Sequence, residues 1–443
     1  MLSGLSRDMV ELITFRGIQG IGAGVMIANS FTIIGDLYPP SERGKYQSYV
    51  SIIFGLSSII GPLVGGFITD NIGWEWIFYI NVPIGIVIIL LFTRFLPLIR
   101  PTLEKQHIDY PGIALLVLTI VPLLIALSWG GVQHSWVSPQ IVGMLAFSAV
   151  MGILLYVVDR RKPEAILPFS LYRNQIISIS VVVTFLLGFA MYAGIIFIPL
   201  WFQGVQGESA TSSGSYLTPM MLGLVAGAFV SGQALSRLGG HYRLQGLVGI
   251  VVLAAGMWLL TTLRVSTSYL ASVLYMVTAG IGLGVTFPLY STAIQNVVPL
   301  KRMGVAISAV PFWRFMGGAL GLAILGSFVT NTFATDFLAR LPASVKQAIP
   351  PSTLDSLAHN PHGLIGNAEG QLRSLLAQFV PNPDLVLAQV LDALRHALDS
   401  AITGAIFITF VAVLVTLVVQ IFIKEVPLRR QHDTESSDHT QAL

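Results

Sequence analysis

The stretch KYQSYVSIIFGLSSIIGPLVGGFITD, from Lys45 to Asp70, decides the class of this chain. It is apolar enough for one helix to cross a bilayer, yet it places glycine and proline where an ordinary spanning helix carries leucine. Gly61 and Gly65 lie four residues apart on one helical face, the small-xxx-small spacing that lets two backbones approach closely in lipid. Pro62 removes a backbone donor and bends the helix, and Gly66 extends the small face. A bent helix with a small face points to a contact that moves, while plain glycine packing is the simpler reading of GPLVGG taken alone.

Working outward, composition makes the class general. With 54% hydrophobic and 10% charged residues, a mean hydropathy of +0.77 and repeated long apolar runs, the chain reads as an all-α polytopic membrane protein. A soluble fold is excluded. There is no cysteine, so disulfides and thiolate metal sites are excluded too. The net charge of +3 does not point to nucleic acid, because the basic residues sit in short loops between apolar runs, where they orient a protein in the membrane. No stretch resembles a nucleotide-binding loop, a metal cluster or a nucleophile triad, so ATP-driven transport and catalysis are not expected.

About eleven spans are expected. They run Glu11 to Gly35, Lys45 to Thr69, Ile77 to Leu96, Tyr110 to Trp129, Ile141 to Val158 and Ile176 to Phe202. Tyr216 to Leu235, Arg243 to Leu263, Tyr269 to Val297, Gly304 to Thr330 and Ile402 to Ile423 follow. Loops holding Arg43 and Lys45, then Arg94, Arg100 and Lys105, then Arg160 to Lys162 and Arg173, alternate with loops such as WGGVQHSW that hold neither Lys nor Arg. The same alternation continues through Arg237, Arg243, Lys301, Arg302, Lys424, Arg429 and Arg430; RVSTS, on the opposite side, holds Arg264 alone. The basic set is expected to be cytoplasmic, the C-terminus with it. Trp74, Trp76, Trp129, Trp136 and Trp201 then fall near the outer ends, where an aromatic belt is expected.

An ionisable group deep in a span is usually functional. Arg16 lies in the first span with Gln19 and Gly20 near it on one face, and Arg314 lies in the tenth between Pro311 and Gly317. Either can bind an anionic group, modulate a carboxylate or bond carbonyls between helices. Asp36, Asp70 and Asp109 sit at helix ends, and no carboxylate lies deep inside an expected span. Between the tenth and eleventh spans, Leu372, Leu375, Leu376 and Phe379, and then Leu387, Val390, Leu391, Leu394 and Leu398, recur at helical spacing. They predict short amphipathic helices in an external loop.

LITFRGIQGIGAG, Leu12 to Gly24, resembles the fourth-helix motif of the major facilitator superfamily, and GPLVGG resembles its fifth-helix antiporter motif. The two further small positions of that motif's long form are Ser48 and Ser57. DLYPPSERG and GWEWIFYINVPIG are similar to segments of the fourteen-span drug:proton antiporter branch, and GQALSRLGGHYR to a degenerate second loop motif. The resemblance covers essentially the whole chain as helices four to fourteen. It implies residues 1–98 as the remainder of an N-terminal bundle, 99–173 as a linker with two extra spans and 174–330 as the C-terminal bundle. Residues 331–400 are then an extracytoplasmic amphipathic loop, 401–426 the last span and 427–443 a disordered tail.

The mechanism so implied is secondary efflux of lipophilic or cationic small molecules driven by inward proton flow, with no bound cofactor or metal. Gly61, Pro62, Gly65 and Gly66 would form the bending contact between bundles, and Arg16, Gln19, Gly20, Asp36 and Arg314 would serve transport and coupling. Tyr192, Gln203, Phe287 and Tyr290 are the cavity candidates. Partners expected are the substrate, protons and membrane lipids, with an envelope adaptor protein as a further candidate and no nucleic acid. MLSGLSRDM resembles the end of a third helix, so the first three helices and their acidic motif are expected to be absent, by a misassigned start or by truncation. Export of a lipid or lipid-linked metabolite, and a non-transporting remnant or assembly partner, are the alternatives.

Overall fold

Helix starts follow the capping groups of the sequence in the computed structural model, which describes residues 1–95, 109–131, 133–160, 162, 165–207, 216–237, 241–299, 302–348, 350, 354, 357–358, 373 and 383–427. Helix α1 (Met9–Leu37) begins after Asp8, whose carboxylate accepts from the Glu11 N–H at 2.8 Å, while Glu11 accepts from the Arg7 N–H at 2.9 Å. α2 (Pro40–Asn71) starts on a proline, pre-set for a first helical position. The expected third span is broken at Ile80 into α3 (Trp76–Tyr79) and α4 (Asn81–Phe95). α5 (Tyr110–Trp129) and α6 (Pro139–Asp159) are capped by Asp109 and Ser138, and α7 (Gln175–Gln206) by Asn174. α7 ends at Gly207, where φ of +77° suits a residue without Cβ. α8 (Thr218–Arg237), α9 (Tyr242–Thr261), α10 (Tyr269–Val297), α11 (Met303–Arg340), α12 (Ala343–Ala348) and α13 (Pro383–Ile421) complete the chain.

Among the described residues, ten stretches are long and apolar enough to cross a membrane, and α2, at 32 residues, has spanning length as well. The fold is all-α and multi-pass. The main core is shared by α7 to α11 and α13. Within it α8 and α10 run backbone against backbone, because Gly223 and Gly227 face Gly280 and Gly284. A Cβ added at Gly227 would stand 2.3 Å from the Ile281 carbonyl oxygen, and one at Gly284 would stand 2.1 Å from that of Leu224. Outside this bundle α5 and α6 pair as a hairpin against α11, and α2 lies on α8 and α10. α4 has no buried residue.

Two expected boundaries are displaced. α11 runs through Thr330 to Arg340, and α13 begins at Pro383 rather than near Ile402, so the last stretch of the expected external loop is the first half of that helix. Leu387, Val390, Leu394 and Leu398 are buried in the bundle as part of this long helix rather than forming a short helix within a loop. The reason is continuity: no glycine or proline interrupts residues 384–403, and the apolar spacing carries one face inward. Leu372, Leu375, Leu376, Phe379 and the tail from 428 to 443 lie outside the described residues. Trp201 is also corrected: it is fully buried, with its indole N–H donating to Asp399 at 2.8 Å, and takes no part in an aromatic belt.

Asp109, at the start of α5, also forms a salt bridge with Lys162 beyond α6 and so ties the ends of the hairpin together. Burial pushes its carboxyl up, but the Lys162 ammonium and the Gly112 N–H outweigh this and hold it below the ordinary 3.8. A depressed carboxylate stabilises the fold above its unfolded value and loses that contribution as pH falls through the folded one. Asp109→Asn is therefore expected to lower the thermal midpoint at pH 7. The gap from wild type should close in melts run below pH 3.8; a gap independent of pH would rule the ion pair out as its cause.

Candidate functional site

The first two helices meet the C-terminal bundle at one end only. Arg43, at the close of the first turn of α2, is 1% exposed. Its guanidinium donates to the carbonyls of Gly35 at 2.6 Å, Tyr38 at 2.8 Å and Gln295 at 3.3 Å. Gly35 and Gln295 belong to the last turns of α1 and α10, whose carbonyls lack partners within their own helices and carry the negative end of the dipole. One cation thus caps two helix C-termini across the seam. Beside it the Thr292 hydroxyl reaches the Gln47 amide oxygen at 3.1 Å. Gly44 faces Leu235, and Gly55 faces Val225. A Cβ added at Gly232 would stand 2.5 Å from that of Ser48.

Arg43 was expected in a short cytoplasmic loop and is instead an interhelical cap in the first turn of α2. A cation in the first turn of a helix opposes that helix's own dipole, which is the signal that it serves other partners. With charge-assisted bonds worth about 1.5–3 kcal/mol each, Arg43→Gln should open this end. Ser48→Cys places one thiol at a fully buried position of a cysteine-free chain. Its labelling by a maleimide is expected to quicken roughly tenfold or more in the Arg43→Gln background, and an unchanged rate would reject the cap as a latch.

Above this closure lies a cavity of about 110 Å³ between α1, α2, α7, α10 and α11. Ser51, Phe54, Met191, Phe287, Arg314 and Phe315 are among its walls, and no acid lines it among the described residues. Arg314 is 7% exposed, and its guanidinium carbon stands 3.9 Å from the Phe287 ring centroid. Its Nε and one terminal nitrogen have no hydrogen-bond partner among the described residues. The cavity joins aromatic surface to one unsatisfied cationic donor. At this volume it has room for a small polar group rather than for a whole drug-sized molecule.

The other expected residues are spread more widely. Phe287 lines the cavity, whereas the Tyr290 hydroxyl donates to Gln420 at 2.9 Å inside the bundle. Tyr192 is half-buried against Gly318, and Gln203 lies towards the far end of α7. Arg16 is exposed, bonded to Gln19 at 3.1 Å and 5.8 Å from the Phe78 ring. Among the described residues, no atom beyond the helix itself lies within 4 Å of a Cβ built on Gly20, Gly61, Gly65 or Gly66. In this conformation the tight seam therefore runs from Gly44 to Gly55, one to two turns short of GPLVGG. The side chains of Asp36, Pro62 and Asp70 lie outside the described residues.

Asp399 was missed, because a helix end was expected at Ile402. It is 8% exposed, a buried carboxylate of α13 two residues before the apolar run that begins at Ala401. Leu394 and Leu398 before it and Ile402 after it share helical spacing, which is the signal that places it within the helix.

A helical bundle with a polar-tipped aromatic cavity at the seam of two parts, closed at one end, defines a multi-pass transporter rather than an enzyme. The family model for the Major Facilitator Superfamily matches residues 1–322, and the chain belongs to that superfamily. It is 32% identical over 447 residues to the Multidrug transporter protein MdtP of Bacillus subtilis (strain 168), covering 100% of this chain and 81% of that protein. It is 34% identical over 423 residues to Multidrug resistance protein 3 of the same strain, covering 95% and 79%. The MFS-type efflux pump MFS1 of Arthroderma benhamiae is 30% identical over 377 residues, covering 80% and 70%.

Proposed function

We propose that this chain exports lipophilic small molecules across the cell membrane in exchange for protons, with its C-terminus in the cytoplasm. The observation that carries the reading is the seam cavity, apolar and aromatic with one buried guanidinium, sealed at the Arg43 end. That end bears the basic loops, so on the positive-inside rule the conformation is closed to the cytoplasm and open outward. Kinship with multidrug transporters supports the substrate range. The Arg314 guanidinium favours molecules that present an acceptor oxygen over bare cations. For the proton we propose Asp399, the buried acid of α13, together with Asp36 at the end of α1, because a group that changes charge within the membrane is what coupling requires.

Reconstituted vesicles with an imposed pH gradient test this. The wild type is expected to move fluorescent lipophilic compounds against their gradient and to release protons in return. Asp399→Asn should keep downhill exchange and lose the pH-driven accumulation. Accumulation that persists without a pH gradient would reject proton coupling, and inactivity of folded protein across the panel would reject drug efflux.

A further inference from the structure

We propose that Gln47 and Gln295 line the mouth of the seam cavity at the Arg43 end, and that their amides, dry and unpaired while this mouth is closed, are hydrated when it opens and so counterbalance the Arg43 cap. Gln47, on α2, is fully buried, and Gln295, on α10, is 2% exposed. The Gln47 Nε2 and both amide atoms of Gln295 have no hydrogen-bond partner among the described residues. The Gln47 oxygen is only partly served: the Thr292 hydroxyl has one hydrogen and lies 3.1 Å from that oxygen and 2.8 Å from the Pro288 carbonyl. Gln420, within the bundle, differs. It accepts from the Tyr290 hydroxyl at 2.9 Å and donates to the Arg243 carbonyl at 3.2 Å.

The two unpaired amides stand in the seam itself. Gln295 turns towards α1 and α11, since a Cβ built on Gly35 would stand 3.8 Å from its Cδ and 3.4 Å from Ile307. Its backbone carbonyl is the one that Arg43 caps, one turn of α2 before Gln47. Gln47 leads inward, because its own carbonyl accepts from Ser51 one turn on, and Ser51 is a wall of the cavity. On the α10 side the cavity wall at Phe287 lies about 12 Å along the helix from Gln295. A polar line thus joins the closure to the cavity. A buried polar group without a partner costs free energy in the closed arrangement alone, and water restores its bonds once the seam parts. The Arg43 bonds act in the opposite sense. Set against each other, the two keep either arrangement from trapping the protein, as alternation of a site between two sides requires.

The test is maleimide labelling of the full chain carrying Ser48→Cys, with thermal melting of the same preparations. Gln47→Met with Gln295→Met replaces both amides by unbranched apolar chains of similar length. The closed arrangement is then relieved of their cost, so labelling is expected to slow roughly tenfold or more and the thermal midpoint to rise. In the Arg43→Gln background the same pair should bring the quickened rate back towards that of Ser48→Cys alone. Gln420→Met, at a fully paired amide, is the comparison and should not slow labelling. The proposal is overturned if the double variant labels at the rate of Ser48→Cys alone or faster; a faster rate is the result for amides bridged by ordered water that hold this end shut. It is equally overturned if the double variant fails to fold or melts earlier, or if Gln420→Met slows labelling to the same extent.

Discussion

Arg314→Met is expected to abolish efflux and at the same time to raise the thermal midpoint. An arginine at the centre of a spanning helix costs about 2.5–3.5 kcal/mol on insertion scales. The contact over Phe287, at 3.9 Å, returns about 0.5–2 kcal/mol. No ion pair offsets the rest, since Nε and one terminal nitrogen have no partner among the described residues. Methionine fills a similar path with an unbranched, apolar chain, so the fold should gain about 1 kcal/mol from the exchange. Transport should fail because the cavity loses its cationic donor. Melting in detergent and efflux from vesicles are to be measured on the same preparation. A variant that is stabilised and still transports would remove Arg314 from the substrate site. One that melts earlier would show that the charge supports the fold.

Gly284→Leu is expected to prevent accumulation of folded protein altogether. The first atom of the new side chain would stand 2.1 Å from the Leu224 carbonyl oxygen, 2.8 Å from its carbon and 2.9 Å from the Ala228 nitrogen. All three are backbone atoms of α8, which cannot turn aside as a side chain does. Overpacking against side chains alone costs about 1–3 kcal/mol. Here α8 and α10 must part along their whole contact, and each helix carries a second glycine in the same seam. Gly61→Leu is the comparison, because among the described residues no atom of another helix lies within 4 Å of a Cβ there. It should give a monodisperse peak in gel filtration while Gly284→Leu gives aggregate. Equal yields of the two variants would refute the reading of α8 against α10.

Most of the architecture was legible because the membrane imposes it. The spans Tyr110 to Trp129 and Tyr269 to Val297 agree with α5 and α10 at both ends, since turn residues and capping groups bound each apolar run. The third span broke at Ile80, and α11 and α13 ran far past their expected limits. Apolar content marks where a helix enters lipid, but the helix ends only where its hydrogen bonds do. The site was harder to read. Phe287 faces the cavity and Tyr290, three residues on, faces Gln420, and α10 mixes apolar and polar residues around its circumference with no single apolar face. No periodicity on such a helix tells seam from bundle interior. Arg43 and Asp399 were hidden for a related reason: both stand close to expected helix ends, where a charge is ordinarily solvated.

α2 packs on α8 along one part of its length and not along another. From Gly44 to Gly55 it is in contact with α8, over about 17 Å at 1.5 Å per residue, and from Gly61 to Asn71 it extends about 15 Å past that contact. It is therefore a lever with nearly equal arms, and its pivot lies in the single turn and a half between Gly55 and Gly61. A tilt of about 15° there swings each tip by roughly 4 Å in opposite directions. Whatever lifts the Arg43 tip from α10 must press the Gly65 tip towards the bundle by the same distance. The open space beside Gly61, Gly65 and Gly66 is the clearance that this stroke needs.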